Sequence, residues 1–136
     1  MIAPLTSKVQ VGEVFEDTLV ENLTRTQIVQ YAGASGDFNP LHTDEPFAVQ
    51  IGGFPAGVFA HGMLTMGMTG QALTAWLGDD ALRTFGVRFS AQVWPGDKLT
   101  ARFTVEGEEE GALQIAVSVV NQDDREVLVG TATAAA

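Results

Sequence analysis

Between Pro46 and Gly78 the chain carries no Asp, Glu, Lys or Arg, and His61 is the one ionisable side chain in that span. Its second half, Gly62 to Leu77, reads as a helix that is apolar on nearly every side. Met63, Leu64, Met66, Met68, Ala72, Leu73, Ala75, Trp76 and Leu77 leave no polar face. Such a helix needs cover all round, from lipid or from protein. Thr65, Thr69, Gln71 and Thr74 interrupt the run, Gly67 and Gly70 weaken it, and no basic residue flanks it. A membrane span is therefore not expected. The expectation is a central helix wrapped by a sheet, with Gly67 and Gly70 admitting a strand or second helix at close range.

The rest of the chain supplies the wrapping. Val9 to Phe15 and Thr18 to Leu23 read as two short strands. Thr24 and Gln27 form a capping box ahead of a helix striped by Ile28, Val29 and Ala32, which Gly33 and Gly36 can end. Asp37 to Ala60 is dense in Pro and Gly and reads as irregular, with one short helix near Phe47. Phe47, Ile51, Phe54 and Phe59 should pack it down. Strands are expected over Leu82 to Trp94, Leu99 to Val105, Leu113 to Val120 and Val127 to Ala134, as an antiparallel meander. Trp94-Pro95-Gly96-Asp97 has the residues of a type II turn, and Glu106 to Gly111 those of a solvated hairpin tip. The expected class is α+β: residues 1–136 as one domain, with a helix enclosed by a curved antiparallel sheet.

Composition narrows the function. The net charge is −10 with seven Lys plus Arg, so the basic footprint of a nucleic-acid binder is not available. With no cysteine, a thiol nucleophile, a disulfide framework and a zinc-thiolate site are excluded. At 46% hydrophobic and 18% charged residues, the chain has more apolar surface than a small monomer hides, which favours an oligomer. The first residues have neither a basic nor an apolar segment of the secretory kind, so a cytoplasmic protein is expected.

Two histidines carry the candidate chemistry. In Gly36-Asp37-Phe38-Asn39-Pro40-Leu41-His42, Pro40 disfavours a helix and pushes Asn39 towards an extended or turn conformation. A turn there can bring Asp37 and His42 together as a unit that moves protons near neutral pH. The same residues can equally serve as turn formers beside a packed histidine. A metal site from Asp37, His42, Asp44 and His61 matches no standard spacing, and neither metal nor cofactor is expected. His61-Gly62 opens the apolar helix. Its unpaired N–H groups and partial positive charge could bind an oxygen that gains negative charge. Alternatively, Gly62 is a tight helix start and His61 a capping or buried polar residue.

Tyr31-Ala-Gly-Ala-Ser-Gly-Asp37-Phe-Asn39-Pro-Leu-His42 resembles the signature of (R)-specific enoyl-CoA hydratases and MaoC-like dehydratases. Ala60-His-Gly-Met-Leu-Thr-Met-Gly67 resembles the second block of that family, and Val87-Arg88-Phe89 with Pro95-Gly96-Asp97 its strand and hairpin. The Met-Leu-Thr-Met-Gly run is most similar to the branch represented by the B subunit of actinobacterial (3R)-hydroxyacyl-ACP dehydratases. The resemblance implies a hot-dog fold and a homodimer or heterodimer of hot-dog chains. It also implies an acyl thioester substrate carried by CoA or acyl carrier protein. It makes Asp37 and His42 the holders of the catalytic water, Asn39 a site-orienting residue and Gly62 the backbone oxyanion donor. A serine that relatives carry further along the helix is replaced here by Gly70, with Thr69 beside it. Thr69 and His61 are then expected just behind the reacting groups, and Phe47, Phe54, Val58 and Phe59 along the acyl tunnel. Arg83, Arg88, Lys98 and Arg102 are the nearby candidates for the carrier's phosphates. A thioesterase on the same fold, or a non-catalytic partner subunit, are the rival readings.

Overall fold

Alternation of apolar residues builds the sheet. In Leu99–Glu109, the side chains of Leu99, Ala101, Phe103 and Val105 are buried, and in Ala112–Val120 those of Leu113, Ile115, Val117 and Val119. A period of two puts each set on one face. A computed structural model describes residues 9–136. Residues 1–8, which make up most of the stretch read above for a secretory segment, lie outside them. The elements are β1 (Val14–Val20), α1 (Arg25–Ser35), α2 (Pro40–Thr43), α3 (Glu45–Gln50), α4 (Gly62–Leu77), β2 (Leu82–Phe89), β3 (Leu99–Glu109), β4 (Ala112–Val120) and β5 (Glu126–Ala135). The strands form one antiparallel sheet in the order β1-β3-β4-β5-β2.

Helix α4 lies on the apolar face and buries Thr65, Thr69, Ala72 and Leu73. Near its C-terminal end, Trp76 stacks on Phe15 (5.2 Å between centroids) and on Phe103 (5.7 Å), tying helix, edge strand and central strand together. Each large apolar side chain removed from water in this way stabilises the fold by about 1.5–3 kcal/mol.

Four expectations are corrected. The two N-terminal strands are one, β1, with a register shift between Thr18 and Val20. Glu16 and Asp17 are exposed on this edge strand, where charge is tolerated. The last third is a meander only over β3-β4-β5, since β2 pairs with β5 at the far edge. The connection after β2 is held elsewhere: Ser90 N–H donates to Val127, Ala60 N–H to the Val93 carbonyl, and Leu23 N–H to Asp97. The turn within it is as expected, with Gly96 at φ 95° and Asp97 N–H bonded to Trp94 O at 3.0 Å. Helix α4 is covered on one side only. Met63, Gly67, Gln71 and Ala75 form an exposed stripe at four-residue spacing, and nothing lies near the space a Cβ on Gly67 would take. Finally, the Asp37–Ala60 segment holds two short helices rather than one. Pro40 starts α2 instead of preventing it, because an N1 residue needs no N–H.

Candidate active site

The first motif is positioned by helix ends. Thr24 Oγ1 accepts from Gln27 N–H, and Gln27 Oε1 accepts from Thr24 N–H, so the capping box fixes the start of α1. Gly36, at φ 78°, ends α1 in the left-handed conformation. The chain then turns through Asp37, whose Oδ1 accepts from Asn39 N–H at 3.2 Å. Asn39 Oδ1 in turn accepts from Leu41 N–H at 3.0 Å and caps α2. The Asn39 side chain is therefore used in shaping the turn. His42 follows on the last turn of α2, half-buried, while Asp37 is exposed.

Nδ1 of His42 lies 2.6 Å from the Phe59 carbonyl oxygen. A carbonyl can only accept, so Nδ1 carries the proton and Nε2 of the neutral ring keeps a lone pair. Burial pushes His42 below the ordinary histidine value. The bond to Phe59 opposes that shift, His61 adds to it, and Asp37 works against it. His61 is 2% exposed and donates from Nε2 to the Asp37 carbonyl at 2.9 Å. Its ring stacks on His42 with centroids 3.9 Å apart, and Tyr31 meets it edge-on at 4.8 Å. His61 Nδ1 is buried without a hydrogen-bond partner.

One side-chain donor atom from each of Asp37, His42 and His61 lies within 4.8 Å of the others. Asp44, the fourth residue of the metal set considered above, is outside this group: its Oδ1 accepts from Phe47 N–H and caps α3. Thr69 is also apart. It is fully buried further along α4, and its hydroxyl donates to the Thr65 carbonyl at 2.7 Å.

Gly62 is the first residue of α4, and no side chain caps that end. A Cβ on Gly62 would sit 3.0 Å from the Phe89 ring, so a side chain there would press on that ring. Beside it opens a cavity of about 250 Å³, lined by Phe59, Gly62, Thr65, Phe89, Gln92 and Val127 among others. Asp37 and His42 do not line it; Gly62 and Phe59 connect the two places. Of the four expected tunnel residues, Phe59 lines the cavity. Phe54 packs behind it at 4.7 Å, Val58 is 3% exposed, and Phe47 is half-buried on α3. Gln92 and Val127 escaped the sequence reading because they come from the β2–β3 connection and from β5. Glu45 escaped it as well. It pairs with Arg25 at 2.7 Å and accepts from Val58 N–H at 3.1 Å, which fixes the chain just before Phe59.

The pattern of the MaoC like domain matches residues 7–127. The chain belongs to this MaoC-like family. Its sheet and α4 form the hot-dog fold that the motifs imply. An R-hydratase from Pseudomonas aeruginosa superposes with a TM-score of 0.83 at 26% identity, covering 96% of this MaoC-like chain and 83% of the other. The ChsH1-ChsH2 complex of Mycobacterium tuberculosis gives 0.80 at 25% identity, covering 93% and 98%. The 3-hydroxyacyl-thioester dehydratase Y of M. tuberculosis is 38% identical over 87 residues, 62% of this chain and 30% of the relative. Peroxisomal enoyl-CoA hydratase 2 of Arabidopsis thaliana is 36% identical over 93 residues, 66% and 29%. The MaoC-like chain thus aligns with less than a third of the length of these two curated relatives.

Proposed function

We propose that this MaoC-like chain hydrates trans-2-enoyl thioesters reversibly to (R)-3-hydroxyacyl thioesters. The observation that carries the reading is the convergence of the Asp37 carboxylate and the His42 ring, donor atoms within 4.8 Å, with the Nδ1 proton of His42 committed to Phe59. That leaves Nε2 as the base. A water held between Asp37 and His42 gives a proton to Nε2 as its oxygen bonds to C3. The π electrons move through C2 onto the thioester oxygen, which the Gly62 N–H and the uncapped start of α4 stabilise. C2 then takes a proton back from the Asp37–His42 pair, which returns to its starting state. Dehydration is the reverse.

The acyl part would lie in the cavity beside Gly62. For the carrier's phosphates, Arg88 is the candidate cation with no partner of its own among the described residues. Lys98 and Arg102 pair with Glu21 and Glu16, each at 3.7 Å, and Arg83 donates to the Asp80 carbonyl. Arg88 is exposed at the end of β2, one residue before Phe89 of the cavity wall. Pairing with a second hot-dog chain, identical or not, would cover Phe38, Met63 and Phe89, which are 66%, 55% and 47% exposed.

The test is purified chain with crotonyl-CoA, following enoyl absorbance beside a thiol reagent. Loss of absorbance without thiol release supports the reading. Thiol release points to a thioesterase. Activity that arises only with a second hot-dog chain points to a heteromer.

A further inference from the structure

His61 is the buried titratable group that the mechanism above does not use, and its surroundings give it a task. Asp37 is exposed and sits between the end of α1 and the start of α2. Its carboxylate reaches Asn39 N–H within its own turn, and its N–H reaches Ser35 Oγ at 3.1 Å. Both bonds are local, within two residues, and reach no element beyond the turn that joins α1 to α2. The tie from outside is His61 Nε2, which reaches the Asp37 carbonyl across 24 residues of chain. His61 is at the start of the sixteen-residue α4, so it brings the rigidity of a packed helix to a loop. The same ring stacks on His42 at 3.9 Å. Its seat carries a cost, because Nδ1 is buried without a partner. An apolar ring would fill that space without the cost and without the bond to Asp37.

We propose that His61 is a positioning residue: by donating to the Asp37 carbonyl while stacked on His42, it holds the carboxylate and the imidazole in one constellation. This rests on the hydration reading for its effect on rate, though the geometry it describes does not. Misplacement of reacting groups by about 1 Å can cost 10²-fold in rate.

The experiment compares His61→Phe, which keeps a ring and loses the donor, with His61→Gln, which keeps an N–H of similar reach. With crotonyl-CoA, His61→Phe should lose about 10–100-fold in kcat with little change in KM, and His61→Gln should recover most of that loss. Wild-type kcat in His61→Phe, or equal losses in both variants, would overturn the proposal. Thermal melting checks that both fold. If the phenylalanine form does not, the glutamine form decides alone, and a loss in it as deep as in Asp37→Asn overturns the proposal. NMR on the substrate-free protein separates this from the hydration reading. The chain has only two histidines, so single variants assign their ring signals. The Asp37 amide signal should move in His61→Phe and much less in His61→Gln, whereas the His42 ring signals move in His61→Gln too, since that variant removes the ring stacked on them. Unmoved signals in His61→Phe count against the proposal even if the wild type proves inactive on enoyl thioesters.

Discussion

His42 donates from Nδ1 to the Phe59 carbonyl at 2.6 Å, across 17 residues of chain. The backbone before α4 thereby chooses which nitrogen of a side chain on α2 is left to accept a proton. General acid–base groups contribute roughly 10²–10⁴-fold to turnover. Asp37→Asn and His42→Ala should each lose that much with crotonyl-CoA while keeping wild-type melting behaviour. Near-normal turnover in either variant would remove that residue from the mechanism.

The His42 base must be neutral to accept a proton, and burial holds it below the ordinary value of 6.5. The acid limb of kcat/KM should therefore fall below that value. The stability consequence has a definite sign. As pH falls, the unfolded chain takes up this proton before the folded one, so stability rises with pH across the interval between the two values. The contribution is full above the ordinary value and lost as pH falls to the folded-state value. A pH profile of activity beside urea melts at several pH values reads both effects.

Gly62 and Phe89 should be energetically coupled. A methyl group on Gly62 would lie 3.0 Å from the Phe89 ring, so the ring would have to shift by a few tenths of an ångström to admit it. Gly62→Ala should destabilise the wild-type background and be better tolerated with Phe89→Ala. A double-mutant cycle in urea should give a coupling of about 0.5–3 kcal/mol. Strict additivity would show that the two do not compete for space.

Glu45 should affect catalysis from a distance. It bonds Arg25 and Val58 N–H, and Val58 precedes the carbonyl that orients His42. The hydrogen bond from Arg25, then that from Val58, hold the Glu45 carboxyl below its ordinary value. Its contribution to stability is present above that ordinary value and lost as pH falls through the folded one. Glu45→Ala should lower kcat more than it lowers the melting temperature. Gly57→Ala should cost more than about 1 kcal/mol in urea melts, since Gly57 has φ 93° and a Cβ there would overlap the Glu45 carboxylate.

Phe103 is fully buried and stacks on Phe15 and Trp76. Phe103→Ala should cost about 3–5 kcal/mol by denaturant melting. A change under 1 kcal/mol would show that the core closes over the gap.

Local chemistry was legible in the sequence. The capping box, the turn with Gly96, the span of α4 and the strands β3 to β5 follow from side-chain period and from what Gly and Pro permit at neighbouring positions. The nearness of Asp37 and His42 was also legible, because they lie five residues apart in a motif of specific order. What only the tertiary structure decided involves contacts between distant segments. Pro40 could be read as a barrier or as an N1 residue, and Asn39 capping α2 settled which. The place of β2 beside β5 depended on a ladder between strands more than 35 residues apart in the chain. The proton on His42, the seat of His61 under Asp37 and the meeting of Gly62 with Phe89 each join residues at least 17 positions apart. A residue's own neighbours in sequence do not encode such pairings, because they exist only once the sheet and α4 have fixed where each segment lies.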